Sequence, residues 1–261
     1  GARTLDRRGH DIVLITIDAL RADHLGAYGY RRGVSPNLDA LAARSVVFEH
    51  AYSAAPHSSY SLSSTMTSEY LHETLDLDQP LPEETLPRVM ADAGMRTAAF
   101  FTLGIFHTEG ERLTRFRDDA FGFEVHDHTD LEAEALTDRA LREVDDVVRD
   151  GETPSLFWVH YFDVHEPYED TSLGTSDVDR YDGELRKADR AIGRLLREMD
   201  AKLTAPLVVV VTSDHGEEFR DHGGVYHGST LYEEQIHVPL IVSAPGVAAR
   251  RVSAPVQSID L

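Results

Sequence analysis

One stretch constrains this chain more than any other: LVVVVTSDHGEE, residues 207–218, where a leucine and four valines run straight into Thr212, Ser213, Asp214 and His215. The run lacks polar alternation, which suits a strand covered on both faces, as in the parallel sheets of α/β proteins. Polar residues at the carboxyl end of such a strand fall where open α/β sheets form their ligand crevices. A carboxylate beside an imidazole at that place is a ligand pair for zinc, manganese or a similar divalent ion. Taken alone, the pair also reads as a cap or a hydrogen-bonded loop contact.

A second stretch repeats the design near the amino terminus. DIVLITIDAL carries an apolar run from Asp11 to Ile17 and then Asp18. Asp18 could cap a following turn, yet it stands in an apolar context, Ile17 to Leu20, where an unpaired carboxylate is costly and a bound cation would remove that cost. Between these segments lies SAAPHSSYSLSSTMTSEY, rich in hydroxyls, with Pro56 ahead of a helix start at Ser58 or Ser59. A helix amino terminus attracts anions. A divalent ion lowers the pKa of bound water from about 15.7 to about 7, and would act similarly on the Ser58 hydroxyl. The plainer reading of Ser58 is an N-cap.

The rest of the chain alternates helical and strand patterns. The spacing predicts a helix over 82–93, a strand over 96–101, an amphipathic helix over 131–148, a strand over 156–162 and a helix over 180–199. The last carries Leu185, Ala188, Ile192, Leu195 and Leu196 at helical spacing, read as core packing. Residues 102–129, rich in charge and histidine, read as an irregular excursion near the mouth of the site, with His107, His126 and His128 in solvated loop. His160 reads as structural, and Asp163 as a group that could orient an imidazole. Together these patterns predict an α/β fold with a mostly parallel central sheet and helices on both faces. A length of 261 residues with 41% hydrophobic content is enough for one such core.

The net charge of -21 argues against nucleic acid and against an anionic membrane surface as partners. A metal site would still create a local positive focus for a small anionic ester substrate. No apolar run approaches the roughly 20 residues that span a bilayer. GARTLDRRGH lacks the apolar core of a signal peptide, and the absence of cysteine excludes disulfides.

In this order, ITIDALRADHLGAYGY, SPNLDALAARSVVFEHAY, APHSSYSLSSTMTS, FWVHYFDVHEPY, TSDHGEEFRDHG and HGSTLYEEQIHVPLIVSAPG resemble the sulfatase-like branch of the alkaline phosphatase superfamily. Members of that branch hydrolyse or transfer phosphate and sulfate esters. The resemblance implies that Asp18, Asp214 and His215 ligate one divalent ion, Mg, Mn, Ca or Zn, and that Ser58 is the nucleophile and also touches the ion. A second metal stays open. The resemblance further implies that His165 and His227 face the non-bridging oxygens and the leaving group, as hydrogen-bond donors or general acid. Ser61 and His222 are the further candidate substrate contacts. Family members often work in the bacterial envelope, so a periplasmic or envelope location is expected. SAPVQSIDL resembles the point where relatives continue into a small carboxy-terminal subdomain, which implies a single catalytic domain over 1–261 without it.

Two departures from the family pattern shape the expected chemistry. Many sulfatases carry two adjacent acids after the first strand, whereas Asp18 is followed by Ala19. Sulfatases also carry C-x-P-S-R or S-x-P-S-R, whose first residue is oxidised to formylglycine. This chain reads Ser58, Ser59, Tyr60, Ser61, Leu62. Relatives with an unmodified Ser or Thr at this position mostly act on phosphorus. The leading expectation is therefore a metal-dependent hydrolase of phosphate or phosphonate esters that forms a covalent seryl intermediate on unmodified Ser58. The alternatives are a sulfatase, an envelope phospho-group transferase and a non-catalytic scaffold.

Overall fold

The computed structural model describes residues 9–70, 84–102, 120–128, 132–150 and 153–261. In chain order the principal elements are β1 (Asp11–Ile17), α1 (Pro36–Ala42), β2 (Val46–Tyr52), α2 (Ser58–Thr67), α3 (Leu86–Asp92), β3 (Arg96–Phe100), β4 (Val125–Asp127) and α4 (Ala133–Asp150). They continue with β5 (Ser155–Tyr161), α5 (Asp177–Lys202), β6 (Leu207–Ser213), β7 (Glu218–Phe219), β8 (Val225–Tyr226), α6 (Glu233–Ile236), β9 (His237–Ser243), β10 (Arg250–Val252) and β11 (Val256–Gln257).

Nine strands form one sheet in the order β10-β2-β9-β6-β1-β5-β3-β4, with β11 also paired to β2. Only β9 runs against its neighbours, β2 and β6; every other pairing in this sheet is parallel. The expected mostly parallel sheet is thus the one observed. Val13, Ile15, Ile17, Phe157 and Val211 on one face pack in a single cluster with Leu185, Ala188, Ile192 and Leu195 of α5 and with Leu136, Ala140 and Val144 of α4. Leu14, Leu156 and Trp158 on the other face pack with Leu62 and Met66 of α2. This two-sided cover explains why the strands read as continuous apolar runs.

The expected strand at 11–17 agrees with β1, and the others shift by a residue or two at their ends. β6 runs on to Ser213 because Thr212 and Ser213 still pair with Thr16 and Ile17. α5 begins earlier than expected, at Asp177, because Ser176 and Asp179 form a capping box. The excursion expected over 102–129 is not wholly irregular: Val125–Asp127 pairs in parallel with β3 and edges the sheet. A run that short carries too little periodicity to register in sequence. His126 and His128 stack there at 5.6 Å, while His107 lies outside the described residues.

Asp163 does not orient an imidazole. Its Oδ1 accepts from the Ala133 backbone N–H at 2.9 Å, at the start of α4, and its Oδ2 is buried without a hydrogen-bond partner among the described residues. Burial pushes this carboxyl up to about 6, against the lowering effect of the Ala133 hydrogen bond. An unfolded Asp titrates near 3.9, so the stability from the protonated form is fully present below about pH 4 and lost as pH rises through about 6. Asp163→Asn keeps an acceptor for Ala133 and removes the buried charge. The variant's melting temperature relative to wild type should therefore be higher at pH 7.5 than at pH 4, by an amount corresponding to about 2–3 kcal/mol. A difference that stays flat between those pH values would show that the carboxyl is not destabilised in the fold.

Candidate active site

The register of two neighbouring strands builds the site. β1 and β6 lie side by side with Ile17 opposite Ser213, so the next residues, Asp18 and Asp214, leave the sheet at the same edge. β5 flanks β1 on its other side with His160 opposite Thr16. Ala19, fully buried, turns the chain in the left-handed region at φ 53°, a conformation that non-glycine residues adopt at a cost and that recurs at functional sites. The turn lets the Ala19 N–H donate to Asp214 Oδ1 at 3.2 Å and the Leu20 N–H donate to Ser213 Oγ at 3.0 Å.

Asp18, Asp214 and His215 are buried, and one oxygen of each carboxylate is bare. Asp214 Oδ1 takes backbone N–H groups from Ala19 and from His215, whereas Asp214 Oδ2 and Asp18 Oδ1 have no hydrogen-bond partner among the described residues. His215 donates through Nδ1 to the Gly216 carbonyl at 2.8 Å. In the neutral ring that bond leaves a lone pair on Nε2, which lies 3.5 Å from Asp18 Oδ1 and 3.6 Å from Asp214 Oδ2. Ser58, the first residue of α2, has its Oγ 3.0 Å from His215 Nε2 and 3.3 Å from Asp18 Oδ2. Two bare, buried anionic oxygens facing one imidazole lone pair and one hydroxyl form a donor set that fits a divalent cation. Asp18, Asp214, His215 and Ser58 could therefore hold the expected metal.

His160 belongs to the same cluster, which corrects its reading as merely structural. Trp158 Nε1–H donates to Thr16 Oγ1 at 2.9 Å, Thr16 Oγ1 lies 2.8 Å from His160 Nδ1, and His160 Nε2 lies 3.2 Å from Asp18 Oδ2. A carboxylate only accepts, so His160 Nε2 carries the proton, and the Thr16 hydroxyl then donates to Nδ1. The chain Trp158, Thr16, His160 and Asp18 is directed along its whole length. Burial alone would raise the Asp18 carboxyl; the His160 hydrogen bond and the potentials of His165, His215 and His160 overcome this and hold it below the usual carboxylate range.

Histidines form the opposite wall. The His227 ring lies 4.2 Å from that of His215 and 4.9 Å from that of His165. His165 is stacked on Phe162 at 4.5 Å, with its Nδ1 bonded to the Glu166 carbonyl at 2.6 Å, so Nε2 is its remaining polar atom. Burial would lower His227, but the hydrogen bond and charge of Glu217, followed by the charges of Asp18 and Glu166, push it up to about 9. His57, absent from the sequence-based candidates, joins this group with its ring 6.3 Å from that of His227. Its position directly before Ser58 was the available signal.

The two further candidates stand elsewhere. Ser61 is fully buried one turn into α2, and its Oγ lies 2.8 Å from Ser53 Oγ, which also contacts the Asp214 carbonyl. It braces the helix against the end of β6. His222 stands on the β7–β8 hairpin with its side chain 48% exposed, stacked on Tyr232 at 3.7 Å and bonded to Glu234. Leu62, where sulfatases carry arginine, is 0% exposed and packs in the core with Met66 and Trp158.

A family model described as Sulfatase matches residues 10–261. Over 96% of its length the chain is 25% identical to the Ulvan-active sulfatase of Formosa agariphila, and it spans 60% of that relative. Among solved structures, the lipoteichoic acid synthase LtaP from Listeria monocytogenes matches with a TM-score of 0.76 at 14% identity, over 96% of this chain and 69% of LtaP. The C-terminal periplasmic domain of EcEptC from Escherichia coli, solved in complex with Zn, matches with a TM-score of 0.70 at 19% identity, over 90% of this chain and 72% of that one. At these identities the structural likenesses concern the fold.

The hydrogen bond from His160 to Asp18 has a measurable consequence. His160→Ala should weaken binding of Mn or Zn to the metal-free protein about 10–100-fold in a calorimetric titration, the usual effect of removing a group that orients a ligand. An unchanged affinity would return His160 to the role of core packing.

Proposed function

The chain belongs to the sulfatase family, and from that premise we propose that it is a metal-dependent hydrolase of phosphate or phosphonate esters with unmodified Ser58 as nucleophile. The observation that carries this reading is the setting of Ser58. Its hydroxyl meets His215 Nε2 and Asp18 Oδ2 at the start of a ten-residue helix, and the arginine position of the sulfatase pattern is filled by buried Leu62. Tyr60 stands where that pattern has proline, and the chain has no cysteine. The fold is that of the alkaline phosphatase superfamily.

In this reading Asp18, Asp214, His215 and Ser58 would hold one divalent ion, whose charge would favour the deprotonated hydroxyl and the oxygens of the ester. Ser58 Oγ, its proton released to solvent, attacks the tetrahedral centre in line with the leaving oxygen. The amino terminus of α2 favours the anionic group. His165 and His227 donate hydrogen bonds to the non-bridging oxygens, and His227 gives its Nε2 proton to the departing alcohol as the ester bond breaks. Water then displaces the group from Ser58, giving its proton to the His227 Nε2 that the first step left bare, and Ser58 departs as the alkoxide ready for the next turnover. Ser61 contributes by holding α2 in place through Ser53. An anionic ester is attracted to this cluster of imidazoles despite the net charge of -21.

A second reading, sulfate ester hydrolysis on the same residues, is favoured by the Ulvan-active sulfatase, the relative that aligns over 96% of the chain. Among the described residues no helix is long and apolar enough to cross a membrane. The periplasmic domains among the structural neighbours support an envelope location for the reaction.

The test is turnover of matched aryl phosphate monoesters, phosphate diesters, phosphonate monoesters and sulfates with Mg, Mn, Ca or Zn. Phosphorus ester turnover should fall by about 10³-fold or more in Ser58→Ala. It should also be lost on chelation and return with the metal. Turnover of sulfate alone would replace this reading by the second, and absence of turnover on every ester would overturn hydrolysis.

A further inference from the structure

Glu217 follows the Asp214-His215 pair on the loop after β6, and its side chain is 0% exposed. The loop is clamped on both sides of it: the Glu217 N–H donates to the Glu234 carbonyl at 2.8 Å, and the Glu217 carbonyl accepts from Arg21 Nη1 at 3.1 Å. Both carboxylate oxygens are in use. Oε1 lies 3.2 Å from His227 Nδ1, and Oε2 accepts the Tyr168 hydroxyl. Tyr168 is itself 7% exposed, wedged edge-on against Tyr181 at 5.7 Å and beside Phe219 at 6.1 Å. The other carboxylate near His227 Nδ1 is Glu166, 3.7 Å away and 27% exposed, beyond hydrogen-bond range.

These contacts leave His227 little choice of orientation. A carboxylate accepts only, so His227 Nδ1 must donate to it, and Nε2 becomes the atom turned to the rest of the site. The Tyr168 hydroxyl, held protonated by burial and by Glu217, donates to Oε2 and prevents the carboxylate from rotating away. A carboxylate that merely anchored the loop could be satisfied by the backbone alone. This one spends an oxygen on an imidazole whose ring is 4.2 Å from that of His215.

We propose that Glu217, braced by Tyr168, is a positioning residue that fixes the His227 imidazole with Nε2 toward the oxygen of the leaving group. The inference rests on His227 as the group that protonates the leaving alcohol, so the experiment separates the two. Proton donation matters most for poor leaving groups and little for good ones. The measurement is kcat and KM for a series of aryl esters graded from good to poor leaving groups, in the ester class that the wild-type protein turns over, for His227→Ala, Glu217→Gln and Tyr168→Phe.

Glu217→Gln should lower kcat about 10–100-fold for the poorest leaving group and less than about threefold for the best, with KM little changed. Tyr168→Phe, which removes one hydroxyl and keeps the ring packing, should show the same graded pattern at about 3–10-fold. A loss that is equal across the series in both variants, while His227→Ala remains graded, overturns the positioning role alone. A loss that is equal across the series in His227→Ala overturns the assignment of His227 and the inference with it. Should Glu217→Gln fail to fold, Tyr168→Phe decides by the same criterion.

Discussion

The structure turns on two like charges that the sheet forces together. β1 and β6 pair in parallel and in register, so Asp18 and Asp214 emerge side by side from a dry sheet edge. Burying one carboxylate costs several kcal/mol, and burying two at short range costs more unless positive charge or donors compensate. Most of what surrounds them supplies that compensation. Backbone N–H groups take up Asp214 Oδ1, and His160 takes up Asp18 Oδ2. What the protein leaves bare, Asp18 Oδ1 and Asp214 Oδ2, defines where a cation fits.

From that centre the remaining parts follow in layers. Ser58 reaches the carboxylates because α2 packs Leu62 and Met66 against the sheet face carrying Trp158, and this docking points the first turn of the helix at the end of β1. The same Trp158 starts the hydrogen-bond chain through Thr16 and His160 to Asp18, so the packing of α2 and the orientation of the acid share one side chain. On the far wall a matching chain of contacts runs from the Tyr168 hydroxyl through Glu217 to His227 Nδ1. Each of these imidazoles is thus held by one nitrogen, which leaves the other to face the centre.

Much of this was legible in the chain. The valine run before Asp214 and the apolar run before Asp18 announced buried parallel strands with acids at their ends, and β1 runs over the residues expected. The ordered motifs then marked Ser58, His165, His215 and His227. Less legible were the groups that act through others. His160 lies on a strand like any buried polar residue, and only its register opposite Thr16 aims it at Asp18. Asp163, in the same motif and equally polar, turned out to serve the start of α4. β5 ends at Tyr161, so Asp163 lies past the strand, where alternation no longer fixes the direction of a side chain.

The amino-acid sequence by itself determined the local elements and the residue types delivered to strand ends, because apolar periodicity and helix capping are short-range properties of the chain. It also determined that Leu62 stands at the arginine position of the sulfatase pattern, since the residue is read directly. The tertiary structure decided which oxygens remain bare, which nitrogen of each histidine faces inward, and that Glu217 belongs to His227. Those depend on strand register and on hydrogen bonds between residues far apart in the chain, such as Asp18 with His160 and Tyr168 with Glu217. Such pairings are chosen by the packing of the whole sheet, and no local stretch of sequence encodes them.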